Sequence, residues 1–193
     1  MSTTALFVEL LVIGFESLLW VFLLTVVVYG KDVVFLIRDA FLAANLFVTA
    51  VIISLSYLLG IVFDEISDFL TEKWASKIRS SVHEKNLPEM WDIQAYIFSH
   101  SLHASEKLDY MRSRIRILRA SIFNVALIFV FGLVLIHTRP ELIPNGLKST
   151  LDWSIVIFGI VCVSGVAFTY WRITRAYWLR AISIYKSLSI DEE

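Results

Sequence analysis

The sequence predicts an all-α integral membrane protein with four transmembrane helices, of which the second and third extend into a cytoplasmic helical hairpin. Three observations predict this class. Hydrophobic residues make up 58% of the 193 residues, whereas soluble domains contain about 45–50%. They are concentrated in four long apolar runs, and a charged segment separates the second run from the third. Four arginines, at positions 112, 114, 116 and 119, stand immediately before the third run, as expected where a helix passes from the cytoplasm into a bilayer.

The first two runs are predicted to form transmembrane helices within residues 1–63. The first run, residues 5–29, exceeds the about 20 residues that cross a bilayer. It is too long for a cleavable signal peptide and no positive charge precedes it, so we expect it to stay in the mature protein. Residues 30–39 are predicted to be a short connection. The second run, residues 40–63, carries only mildly polar groups, such as Ser54 and Ser56.

Residues 64–119 are predicted to form the cytoplasmic helical hairpin. The helical spacing of apolar residues continues beyond residue 63, so we expect this helix to leave the membrane and to end near residues 80–85. Asn86, Pro88 and Glu89 have the composition of a helix start, with Asn86 as the cap. The returning helix is expected to be interrupted near residues 99–105 before it leads into the third span.

Residues 120–171 are predicted to hold the last two transmembrane helices, at about 120–137 and 151–171. Two prolines and an Asn-Gly pair lie between them and predict a loop. Residues 172–193 begin with aromatic and basic side chains, a composition typical of a helix at the membrane interface. We therefore expect an interfacial tail.

The distribution of Lys and Arg predicts the orientation of the chain. Segments 64–119 and 172–193 together contain thirteen of these residues, whereas the other two connections contain four. The positive-inside rule therefore places the hairpin and both chain termini in the cytoplasm. The predicted localisation is the cell membrane, as a multi-pass protein of the bacterial inner-membrane type.

Two charged stripes predict how the hairpin is held together. Residues spaced by three or four share a helix face, and both stripes start at the same membrane surface and run outward on antiparallel helices. We expect them to form a charge zipper, with Asp64, Asp68 and Glu72 on one helix and Arg112, Arg116 and Arg119 on the other. Exposed ion pairs contribute only about 0–1 kcal/mol each, so the zipper would set register more than stability. The alternative is a site for an anionic ligand or lipid headgroup.

Glu16 is the sharpest functional candidate, because it lies about 17 Å into the first span, near the bilayer midplane. A carboxylate at that depth should face protein or water rather than lipid. Three functional roles are open to it: lining a pore, acting as a proton-linked switch, or joining subunits. The structural alternative is a hydrogen bond to a hydroxyl such as that of Ser54 or Ser56. Glu9 shares its face at a shallower depth. For Glu9 we expect a structural contact with Asn124, with Arg119 or with the inner surface.

Three further arginines are predicted to contact anionic lipid headgroups or a ligand: Arg114, which lies off the basic stripe, and Arg172 and Arg175 at the start of the tail. His100 and His103 repeat at helical spacing but belong to no zinc signature. We therefore predict no metal and no cofactor. The single cysteine excludes a disulfide within the chain, and the net charge of −1 predicts no nucleic-acid partner.

These features favour a homo-oligomeric channel or membrane-permeability effector that its cytoplasmic helices control. The alternative is a non-conducting anchor or sensor that recruits a soluble cytoplasmic regulator. A less favoured third class is a lipid-modifying enzyme with Asp64, Glu65 and Asp68 as bases. The chain contains no recognised catalytic motif, so we do not expect an enzyme. The expected partners are the lipid bilayer and other copies of the chain.

Overall fold

A computed structural model describes residues 3–42, 46–84, 87–142 and 148–190. The described chain is 95% helical and contains no strand. Its elements are α1 (Thr3–Tyr29), α2 (Lys31–Leu42), α3 (Leu46–Val82), α4 (Met90–His100), α5 (Leu102–Thr138), a 3-10 turn (Pro140–Leu142) and α6 (Lys148–Ile190). Four of them, α1, α3, α5 and α6, are long and apolar enough to cross a membrane. This set of helices indicates a multi-pass membrane protein.

The helix α1 packs against both α3 and α5, and α6 packs along α5. The contact between α1 and α3 is a close approach of two backbones at a pair of glycines. A Cβ placed on Gly14 would lie 1.6 Å from the Ser56 carbonyl oxygen, and one on Gly60 would lie 1.9 Å from the Leu10 carbonyl oxygen. Small residues permit such backbone contact between apolar helices, so any side chain at these positions would separate the two helices.

The outer faces of the four long helices are apolar. Large hydrophobic side chains remain exposed on each of them, including Phe22, Leu58, Val130 and Phe158. A folded soluble chain rarely exposes so much contiguous apolar surface, which is typical of proteins that contact lipid.

A second packing unit lies around α4, at the charged end of α3 and α5. Its buried core joins α4 to α3, α5 and α6, and it consists of Val82, Met90, Ile93, Ile97, Leu108, Tyr177, Trp178, Ala181 and Ile182. We call α4 and the parts of α3, α5 and α6 that pack on it the α4 module. The helices α3, α5 and α6 each run without a break between this module and their apolar stretches.

The connection predicted at residues 30–39 is largely helical, because α2 begins at Lys31. Gly30 adopts a φ of +73°, a conformation that favours glycine. It ends α1, and the next helix begins at the following residue. Arg139 reaches over from the turn after α5 and donates hydrogen bonds to the carbonyl oxygens of Val27 and Val28, at 3.0 and 2.7 Å. Residues 40–42 of the predicted second span belong to α2, residues 43–45 lie outside the described residues, and α3 is described from Leu46.

The boundaries around α4 were predicted in part. The helix α3 ends at Val82, within the expected range. Asn86 lies outside the described residues, and α4 begins at Met90 after a Glu89 that makes no capping bond. The expected interruption falls at Ser101, whose extended backbone separates α4 from α5. Its side chain accepts a hydrogen bond from the Ala104 amide and so caps α5.

The tail predicted at residues 172–193 is not a separate interfacial helix in the described part of the chain, because α6 continues unbroken to Ile190. Tyr177 and Trp178 are only 2% and 7% exposed, and they belong to the core of the α4 module. A segment rich in aromatic and basic residues can lie at a membrane interface or pack on neighbouring helices. Composition alone therefore did not separate the two cases.

Candidate functional site

The side chains with candidate functional roles form two clusters along the contact between α1 and α5. The first is an ion-pair cluster near the α4 module. The second is a hydrogen-bond cluster deeper in the apolar part of the bundle. A cavity adjoins the ion-pair cluster on the side of α4 and α6.

The ion-pair cluster joins three helices through two arginines of α5. Arg116 donates to Glu9 of α1 at 3.0 Å and lies 3.4 Å from the Asp64 carboxylate of α3. Arg119 bonds Asp64 at 2.8 Å and also bonds Asp68. The Glu9 side chain is only 5% exposed and that of Asp68 is 64% exposed. The cluster therefore runs from the protein interior to the surface.

The hydrogen-bond cluster is centred on Asn124 of α5, which is fully buried. Its side-chain oxygen accepts hydrogen bonds from the Ser17 hydroxyl at 3.0 Å and from the Trp20 indole at 3.1 Å. Glu16 accepts a hydrogen bond from the Ser121 hydroxyl, 2.8 Å from each carboxylate oxygen, and a longer one from the Asn124 amide at 3.5 Å. Buried polar groups must find such partners within the protein. Here all of them come from α1 and α5.

Glu16 therefore bonds Ser121 and Asn124, and not Ser54 or Ser56 as the sequence suggested. The hydroxyls of Ser54 and Ser56 instead donate to carbonyl oxygens four residues earlier in their own helix. The reason is the packing order, because α1 turns the Glu16 face toward α5. For Glu9, the structure selects Arg116 in place of the expected Asn124 or Arg119.

Two members of the predicted zipper lie outside the ion-pair cluster. Arg112 turns toward α4 and α6, where it donates hydrogen bonds to Tyr177 at 3.0 Å and to Gln94 at 2.9 Å. Its closest ion pair is with Asp109 on its own helix, at 3.8 Å. Glu72 is exposed and makes no ion pair with any described residue. The stripe was predicted from α3 and α5 alone, whereas α4 and α6 supply better partners for Arg112.

A cavity of about 400 Å³ lies between the ion-pair cluster and the α4 module. Three arginines of α5 line it, and aromatic side chains of α4 and α6 form the opposite wall. The lining includes Trp91, Arg112, Arg116, Arg119, Thr174 and Trp178.

The arginines predicted to contact lipid or ligand are exposed. Arg114 lies with its guanidinium 5.9 Å from the Tyr110 ring, and Arg175 lies 5.7 Å from the Trp171 ring. Arg172 is also exposed. None of the three lines the cavity, so a role in lipid contact stays a prediction. His100 packs on the Tyr96 ring, and no group of three potential metal ligands was found among the described residues.

Sequence reasoning missed Ser17, Ser121, Gln94, Thr174 and Tyr177. Ser121 carries a detectable signal, because it lies on the same helix face as Asn124, which the sequence had already singled out, and Ser17 shares a face with Trp20 in the same way. Gln94 and Tyr177 carry no such signal. They meet Arg112 only because α4 and the end of α6 fold onto α5.

The arrangement favours structural pairing over acid–base chemistry at Asp64. Both of its carboxylate oxygens contact guanidinium groups, as in a structural ion pair rather than a general base. Comparisons of the chain with protein-family models, with curated proteins and with solved structures found no match. Function is therefore inferred from the contacts and the cavity.

Proposed function

We propose that the chain is a four-span membrane protein that acts as a homo-oligomeric channel or membrane-permeability effector under the control of its α4 module. In this proposal the α4 module and both chain termini lie in the cytoplasm. The observation that carries it is the continuity of α3, α5 and α6, each of which runs unbroken from the α4 module into an apolar stretch. An unbroken helix transmits a movement at one end to the other end.

The ion-pair cluster supports this proposal because it lies where the charged and apolar parts of these helices meet. Arg116 contacts Glu9 of α1 and Asp64 of α3 at the same time. No described residue of α1 belongs to the core of the α4 module, and this cluster is the charged part of its contact with α3 and α5. A movement of α5 is thereby passed to all the spans.

The distribution of Lys and Arg supports the proposed orientation. Labelling of single cysteines in intact cells tests it. In a Cys162→Ser background, Glu141→Cys, next to the turn between α5 and α6, should react with a membrane-impermeant maleimide. Glu106→Cys, near the start of α5, should react only after permeabilisation. The reverse pattern would overturn the orientation, and labelling of both from outside would overturn the four-span topology.

Flux from proteoliposomes tests the activity. Wild-type protein should release a small trapped ion, and Arg116→Met should change that rate because α1 loses its ion pair with α5 at the end near the α4 module. Arg114→Gln removes the same charge from an exposed position on the same helix and should leave the rate unchanged. Negligible flux from all three proteins, with the full chain folded and oligomeric, would contradict a channel.

A second candidate is a non-conducting anchor or sensor that recruits a soluble partner. The specific observation in its favour is Glu16, whose carboxylate is bonded by Ser121 and Asn124 within one chain. With its hydrogen bonds made inside the chain, Glu16 is not expected to line a pore between subunits. Co-purification of a stoichiometric soluble protein, together with negligible flux, would select this candidate.

A further inference from the structure

We propose that the cavity beside the α4 module binds the phosphate of a phosphate ester, supplied either by an anionic phospholipid headgroup or by a soluble metabolite. This deepens the proposed function and rests on it in one respect, since it names the ligand through which the α4 module would be controlled. The volume of about 400 Å³ lies within the about 300–1,000 Å³ of typical ligand sites.

The depth of the charges in the cavity favours an anion. The side chains of Arg119, Arg116 and Arg112 are 15%, 26% and 39% exposed, whereas that of Asp68 is 64% exposed. Glu65 is exposed as well. Asp64 is the one lining carboxylate at the depth of the arginines. The three guanidinium groups therefore lie deeper than the solvated acids Glu65 and Asp68, and they share the inner wall with Asp64, while the buried Glu9 pairs with Arg116 from α1.

Hydrogen-bond donors remain in excess at this inner wall. Arg112 gives its hydrogen bonds to two neutral acceptors and stays 3.8 Å from Asp109. The Nε of Arg119 is buried without a partner, and so is the Thr174 hydroxyl. Thr174 is only 4% exposed. Buried polar groups without partners are rare, and a phosphate oxygen would accept hydrogen bonds from such groups in the fork geometry that guanidinium provides.

The opposite wall suits the organic part of the ligand. Trp91 and Trp178 line it with their rings at 89° and their centroids 6.2 Å apart. The Arg79 guanidinium lies 5.1 Å from the Trp91 ring and 5.9 Å from the Trp178 ring. Trp91 is 58% exposed, so an apolar or aromatic group beside the phosphate could cover it. The site thus pairs cations on one wall with an apolar surface on the other.

Binding to the full chain in detergent tests this proposal and separates the two sources. In the soluble arm, titration calorimetry compares adenosine 5′-monophosphate and inorganic phosphate with adenosine, which lacks the phosphate. In the lipid arm, native mass spectrometry counts bound phosphatidylglycerol against phosphatidylcholine after mixing in equal amounts. Saturable binding that requires the phosphate supports a soluble source, and selective retention of phosphatidylglycerol supports a lipid source.

Substitutions of lining residues test whether the ligand binds in the cavity. Arg112→Gln should weaken binding about tenfold to a hundredfold, the range expected for hydrogen bonds to a charged group. Lys107→Gln, an exposed control on the same helix that does not line the cavity, should change it less than twofold. Thr174→Val is nearly isosteric and leaves the ion pairs and the hydrogen bonds of Arg112 in place, so it should fold even if Arg112→Gln does not, and it should weaken binding about threefold.

Absence of binding to every probe would overturn the proposal, and so would equal losses in Arg112→Gln and Lys107→Gln. Either result would leave the conclusions from cysteine labelling and from ion flux unchanged, because those experiments do not depend on the cavity. Conversely, a non-conducting protein that binds a phosphate ester through Arg112 would overturn the channel and retain the site.

Discussion

The contact between α1 and α5 changes its chemistry along its length. At the end near the α4 module, Glu9 and Arg116 form an ion pair 3.0 Å long. About 12 Å deeper, at 1.5 Å per residue, Ser17 and Trp20 hydrogen-bond to Asn124 without an ionised partner. Burial of charge costs far more than burial of an amide or hydroxyl. The same two helices therefore use a buried ion pair at the end near the α4 module and neutral hydrogen bonds deeper in the apolar part of the bundle.

Glu16 is the exception that makes the comparison useful, because it brings a carboxyl group into the deeper cluster. Its partners are Ser121 and Asn124, which are neutral donors. Ionisable residues inside a membrane face protein or a water-filled cavity and are paired. Glu16 is thus held in the deeper cluster by hydrogen bonds, whereas Glu9 is held by its ion pair with Arg116.

Removal of Arg116 should have the largest effect on this contact. Arg116→Met leaves Glu9 buried without its cation and also removes a neighbour of Asp64, so we expect the free energy of unfolding to fall by about 3–5 kcal/mol. Circular dichroism during denaturant unfolding in detergent measures it. Adding Glu9→Gln to the same protein should recover most of the loss. A loss below about 1 kcal/mol in Arg116→Met would mean that the pair is not formed.

Removal of the Asn124 side-chain amide should come next. Asn124→Leu loses the acceptor of Ser17 and Trp20 and the donor to the Ile13 carbonyl oxygen, at 3.2 Å. Hydrogen bonds between membrane helices contribute about 0.6–2 kcal/mol each, so we expect a loss of about 2 kcal/mol in the same unfolding experiment. Ser54→Ala, which removes a bond within one helix, is the control and should change stability by less than about 0.5 kcal/mol.

Replacement of Glu16 by glutamine should have a smaller effect. The carboxamide keeps an oxygen that accepts from Ser121, so we expect a change in stability of less than about 1 kcal/mol. Ion flux from proteoliposomes should stay within about twofold of the wild type, because the side chain would still bond Ser121 and Asn124 within one chain. A large change in flux or ion selectivity with unchanged stability would restore Glu16 as a pore-lining residue.

The exposed end of the ion-pair cluster should show the smallest effect. Asp68→Asn removes one partner of Arg119, which keeps its bond to Asp64. Because the Asp68 side chain is 64% exposed, we expect a loss of about 0–1 kcal/mol. That loss should shrink as salt is raised, since exposed pairs are screened. A loss that is large and independent of salt would contradict the exposure of this pair.

Much of the architecture was predictable because it depends on local composition. The four apolar runs, the length of α3 beyond residue 63 and the break near Ser101 all follow from periodicity and capping. The helix α2 was missed because its short apolar run lies between charged residues and resembles a connection. The continuation of α6 was missed because Tyr177 and Trp178 pack in the core of the α4 module, a role that composition does not reveal.

The candidate site was predictable only where two helices suffice to define it. Asp64, Asp68, Arg116 and Arg119 lie on faces that a helical repeat reveals, and the structure brings these four together. Arg112 follows the same repeat but leaves the cluster. A periodic pattern states which residues share a face, and it does not state which of several neighbouring helices that face will meet.

The sequence by itself determined that this chain forms long apolar helices with a charged segment between the second and third runs, since hydrophobic content and charge are properties of the residues alone. Only the tertiary structure decided that Glu9 pairs with Arg116, that Glu16 bonds Ser121, and that a cavity opens beside Arg112. These contacts join residues about 20 to more than 100 positions apart. They depend on the order in which the helices pack, and helical periodicity carries no information about that order.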